Sequence, residues 1–161
     1  MMIKMQKITG RKQAGISLLE VLLSLSIIAI ILIMATRYFF VASNNDKINT
    51  TVSQIGGLIA AGHNYKGAGT DYAGVSIIAL GQSGQLTNFP GFDDKTNRLT
   101  SMWGSEYAIE PVKLGALSLA KITVVLPDIA TCIAINRAFP DDGNAHISSS
   151  CNTNTFTYIF P

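Results

Sequence analysis

Charged side chains are scarce in this sequence. They make up 14% of its 161 residues against 48% hydrophobic ones, an apolar balance high for a soluble protein. The patterns of catalysis are missing too: there is no Gly-rich phosphate loop, no nucleophile elbow, and no histidine with metal or triad spacing. An enzyme is therefore not expected. The two histidines, His63 and His146, stand near loop signals and read as exposed; neither has zinc spacing with the two cysteines, Cys132 and Cys151. The stretch Asp141-Asp142-Gly143-Asn144 lacks the alternating oxygen ligands of an EF-hand and reads as a solvated turn. No metal and no cofactor is expected.

The formal charge of +2 is unevenly placed. Lys4, Lys7, Arg11 and Lys12 all lie before Gly15 with no acid among them, and the rest of the chain has eight basic against ten acidic side chains, a net of −2. That remainder has no basic patch suited to nucleic acid. The four leading cations read as the cytoplasmic flank of a membrane segment, which puts the C-terminal part outside the cytoplasm.

What the chain does have is one long apolar run. Residues 21–35 carry no charge, and only Ser24 and Ser26 among them are polar. Such a run is stable in lipid as a helix, where every backbone group is bonded within the segment. From Ile16 to Thr36 that helix is about 32 Å long, enough to span once. Glu20 opens the run with no opposite charge in its own segment. An acid at membrane depth costs on the order of 2.5 to 3.5 kcal/mol, so it asks for a partner. Cleavage after Gly15 makes one, an α-amine on Ile16 one helical turn from Glu20. A secretory signal cut near Val41 and Ser43 needs a shorter apolar core and gives Glu20 no role; a plain signal anchor leaves it accidental.

A basic leader, Gly15 followed by Ile16, Glu20 at the fifth position after the cut, and a long apolar helix together resemble the type IV pilin class, including the pseudopilins of type II secretion. The fifteen-residue leader and the non-Phe first residue look most like the type IVb, thin-pilus-like prepilins. The resemblance implies cleavage between Gly15 and Ile16 by a prepilin peptidase, N-methylation of Ile16, and packing of the helices into a filament core, with Glu20 as an assembly residue. It further implies a single-pass protein of the bacterial inner membrane with a periplasmic C-terminal domain, moved to a cell-surface pilus by an assembly platform. The implied division is leader 1–15, transmembrane and filament-core helix 16–36, and head domain 37–161.

Beyond the run, Arg37 can reach far-side headgroups, and Tyr38, Phe39 and Phe40 form an interfacial cluster. Val41, Ile48, Val52, Ile55 and Ile59 keep helical spacing, with Asn44 to Thr51 mostly on the wetter face. The helix should continue, weakened at Gly56-Gly57, to an end between Gly62 and Gly69. A short helix is expected over 71–80 with Asp71 as its cap and Gly81 as its stop. Residues 82–97 read as loop around an extended piece at 86–89. Trp103-Gly104 introduces Tyr107 to Ile109, with the Trp at a core edge. A strand is expected over 118–126, then a helix opened by Pro127 and carrying Cys132, then strands over 145–149 and 155–160 with Cys151 between them. A Cys132–Cys151 disulfide is the reading for two cysteines in an exported domain.

The expected fold is α+β and pilin-like: a long N-terminal helix, half transmembrane and half amphipathic, packed on a small antiparallel sheet. The expected function is that of a pilin, a structural subunit that self-assembles into a homopolymeric filament after peptidase processing. Alternatives are a minor pilin or secretion pseudopilin and, in another class, a periplasmic binding domain on a permanent anchor.

Overall fold

A computed structural model describes residues 17–67, 71–139, 141, 143 and 147–161. The leader, Gly15, Ile16, His146 and part of the 141–144 turn lie outside the described residues. The chain divides after Ala42 into two compact units, Met1–Ala42 and Ser43–Pro161. Helix α1 (Leu18–Lys66) contributes to both. The second unit adds α2 (Ile77–Gln82), a small hairpin of β1 (Phe92–Asp93) and β2 (Arg98–Leu99), and β3 (Tyr107–Leu114) with β4 (Leu117–Val125). It closes with α3 (Ile129–Asn136), β5 (Ser148–Asn152) and β6 (Thr155–Phe160). The layout is the expected α+β one.

The main sheet is antiparallel throughout, in the order β3-β4-β6-β5. Its register places large apolar side chains in rows on one face, because residues level across antiparallel strands share a face. One row is Tyr107, Val124 and Phe156, and the next is Ile109, Ile122 and Tyr158. The part of α1 in the second unit lies on this face: Gly62 packs against the Phe160 ring and Ile109, with 3.1 Å from where a Cβ would sit to Phe160. Ile55, Leu58 and Ala61 fill the core beside it. Edge strand β3 carries Pro111 mid-strand, where a missing N–H suits an unpaired edge. On the opposite face Glu110 and Lys121, level in register, pair at 3.0 Å.

Several local expectations need correction. Thr51, assigned to the wet face of α1, is fully buried, and Gln54 beside it is 3% exposed. The buried stripe is thus turned toward 51, 54, 55, 58, 61 and 62, because Gln54 has polar partners inside. Its Nε2 donates to the Pro90 carbonyl at 2.8 Å, and its Oε1 accepts from the Tyr107 hydroxyl at 2.8 Å. Gly57 does more than weaken the helix. A Cβ there would stand 2.5 Å from the Phe89 ring, so its absence admits the ring, whereas Gly56 faces open space.

Helix α2 starts six residues later than expected. Ser76 caps it, accepting from the Ala79 N–H at 3.1 Å. The Asp71 carboxylate is engaged elsewhere, by the Ser118 hydroxyl and the Ala73 N–H. Those bonds, the Ser118 hydroxyl first, hold its carboxyl below the usual range. Gly81 lies inside the helix, under the Phe92 ring, and does not end it. Residues 86–89 form turns, with the Phe89 N–H donating to the Leu86 carbonyl at 3.0 Å, in place of an extended piece. The 82–97 stretch instead contributes β1 to a hairpin with β2. The cap of α3 is Asp128, whose carboxylate accepts from the Thr131 N–H at 2.7 Å, leaving Pro127 just outside the helix. Cys151 sits within β5, not between the last strands.

A disulfide joins Cys132 of α3 to Cys151 of edge strand β5. With 19 residues of separation it constrains the unfolded chain by about 3 kcal/mol in the chain-entropy treatment. Replacing both cysteines with serine should lower unfolding free energy by about that much in thermal or denaturant melts of the detergent-solubilised chain; an unshifted midpoint would contradict it. Gln54→Leu strips the Tyr107 hydroxyl of its acceptor and the Pro90 carbonyl of its donor, and should cost about 1–3 kcal/mol in the same assay. A melt equal to that of the unaltered chain would remove Gln54 from the core's polar clasp.

Candidate functional site

The first unit presents an apolar helical surface. Every side chain of α1 from Leu18 to Ala42 is exposed, and Leu19, Met34 and Phe39 keep 74%, 67% and 69% of their surface open. At about 1.5 Å per residue these 25 positions extend roughly 37 Å, long and apolar enough to cross a membrane.

The serine and threonine hydroxyls within the segment are turned inward. Ser26 Oγ donates to the Leu22 carbonyl at 2.8 Å and Thr36 Oγ1 to the Leu32 carbonyl at 2.7 Å, each four residues back; Ser24 Oγ does the same to the Glu20 carbonyl. Such back-bonding hides the hydroxyls, so the surface offers hydrocarbon with no unmet donor from these groups. Ser17 caps the helix: its carbonyl accepts from the Glu20 and Val21 N–H groups at 2.9 and 3.2 Å, and its hydroxyl from the Leu19 N–H at 3.3 Å.

Glu20 is thus the third residue of the helix, in a Ser17-x-x-Glu20 spacing that matches a capping box. Its carboxylate is exposed and makes no hydrogen bond or ion pair among the described residues. An acid in a first turn gains about 0.3 to 1 kcal/mol from the helix dipole. That is less than the roughly 2.5 to 3.5 kcal/mol cost of a charge deep in an apolar medium, so away from a polar boundary the dipole alone does not compensate Glu20. Arg37 is the next charged residue along the segment and is likewise exposed without a partner among the described residues. Tyr38, Phe39 and Phe40 follow it, exposed, with the two phenylalanine rings edge to face at 6.3 Å.

An open groove of about 490 Å³ runs between α2, the β1–β2 hairpin and β3, with the exposed Arg98–Glu106 pair at 2.7 Å on its wall. Tyr72, buried, donates to the Pro161 carbonyl at 2.7 Å and stands 3.1 Å from His63 Nδ1. Among the described residues no three of His, Cys, Asp and Glu gather as metal ligands.

A protein-family model described as the prokaryotic N-terminal methylation motif matches residues 10–36, the span holding Gly15, Ile16, Glu20 and the apolar run. No curated protein and no solved structure matches the chain. The matched span, 27 of the 161 residues, is similar to the motif that marks type IV pilin-like and pseudopilin substrates of prepilin peptidase.

Proposed function

We propose that this chain is the structural subunit of a type IV pilus, most like the type IVb branch, and that its work is assembly rather than catalysis. The observation that carries the reading is the pairing of the methylation motif with a wholly exposed apolar helix segment whose serine and threonine hydroxyls are bonded inward. In this reading residues 1–15 are the leader, 16–36 the transmembrane and filament-core helix, and 37–161 the extracytoplasmic head. Cleavage between Gly15 and Ile16 frees the α-amine that is then methylated. The helix leaves the bilayer through the assembly platform and exchanges lipid contacts for contacts with other copies, a process driven by packing because lipid and leucine are equally apolar.

Glu20 sets the axial position of an incoming subunit by meeting the Ile16 amine of a neighbour. An unpaired charge left in an apolar core costs several kcal/mol, which makes the register specific. The disulfide-closed head remains in an oxidising environment outside the cell, where such bonds persist.

The mature chain should begin at Ile16, carrying a methyl group on its amine. Peptide sequencing and mass spectrometry of the purified protein decide this: a start at Asn44 would mean a secretory signal, and an intact Met1 a permanent anchor. Glu20→Leu should insert in the membrane and be trimmed at Gly15 as before, while filaments fall steeply in number. Normal filament counts from fully trimmed Glu20→Leu would refute the docking role of the carboxylate.

A further inference from the structure

The exposed apolar segment 18–42 holds two charged side chains, Glu20 and Arg37, and they are opposite in sign. Neither has an ion pair or hydrogen bond among the described residues. Along a helix rising 1.5 Å per residue they stand about 25 Å apart, near the roughly 30 Å thickness of a hydrocarbon core. In a bilayer each therefore reaches a polar boundary of its own. A helix that leaves lipid loses both boundaries at once, and its two charges then need partners from other protein surfaces.

We propose, resting on the reading that copies assemble through this segment, that Arg37 is an assembly residue and that it is received by Glu20 of a second copy. The two helices lie parallel and shifted by about 25 Å along their axes. Charge complementarity selects this occupant, since the segment supplies one acid and one base at a fixed spacing and no further charge, the exposed Tyr38 being neutral. The guanidinium fork matches a carboxylate bidentately, and the carboxylate's remaining lone pairs can still receive the Ile16 amine of another neighbour. The pairing is also strict in register. A slip of one turn sets Glu20 against Ile33 or Val41, both exposed and apolar, instead of Arg37.

In parallel helices every pair of residues with the same offset is level, so the shift also brings Ser24 of one copy beside Val41 of the next, one turn beyond the charges. The test introduces Ser24→Cys and Val41→Cys together in the full chain, oxidises the cells, and reads cross-linked multimers on a non-reducing gel. A ladder is expected from the double variant and from neither single one. Adding Arg37→Glu should cut the ladder at least tenfold with leader removal unchanged, and an unaffected ladder overturns the inference.

Should the cysteine pair itself not assemble, filament counts in the otherwise unaltered chain decide. A tenfold loss with Arg37→Glu that Arg37→Lys largely escapes supports the pairing. Equal numbers in both, whether normal or lost, overturn it and leave Arg37 as a contact for lipid headgroups only. Absence of filaments from the unaltered chain overturns the filament reading and this inference together, whereas filaments that tolerate Arg37→Glu overturn this inference alone.

Discussion

In the first part of α1 the hydroxyls of Ser24, Ser26 and Thr36 turn back onto their own helix, and leucine, isoleucine and phenylalanine side chains face outward over about seven turns. Backbone and hydroxyl groups satisfied within the segment make it stable in a medium that offers no hydrogen bonds. The same property makes it costly in water, where so much apolar surface has no cover. Lipid meets this constraint, and in the proposed function other copies of the segment meet it after the helix leaves the bilayer. The placement of charge at Glu20 and Arg37, near the two ends of the run, follows from it.

The second part of the same helix answers a different constraint. Within the head it supplies one wall of a core whose other walls are the inner rows of the sheet and the loop around Phe89. Gln54 shows how specific that wall is, because its amide meets Pro90 on a loop and Tyr107 on a strand at once. Burial pushes the Tyr107 phenol far above its ordinary value, so it stays a neutral donor to Gln54 at any physiological pH. The disulfide then holds α3 to the outermost strand, whose Ser-rich sequence gives it few apolar contacts of its own.

Hydropathy made the long helix legible, and alternation made β4 and β6 legible, because in each the pattern of one segment decides its structure. The misses arose where distant residues decide. Asp71 and Ser76 are both able to cap a helix, and the choice falls to Ser76 because Ser118, 47 positions away, engages Asp71. Gln54 looks like a surface residue, and only the partners brought by folding, Pro90 and Tyr107, explain its burial. The β1–β2 hairpin pairs strands of only two residues each, too short for any periodicity to show. At the candidate site Glu20 stands out in the sequence as a lone acid at the head of an apolar run, while in the sequence Arg37 reads as a contact for lipid headgroups. The spacing between them gains meaning once both are seen to be exposed and unpartnered. Gly15 and Ile16 lie outside the described residues, and their roles rest on the motif.

In the proposed function the exposed apolar segment is covered by other copies of itself after it leaves the bilayer. This claim is tested most directly by shearing filaments from the surface of cells that express the chain and identifying their protein by mass spectrometry. The account predicts that this chain is a principal component of the sheared material. Recovery of the chain solely in the membrane fraction, with surface filaments absent or made of other proteins, would contradict it.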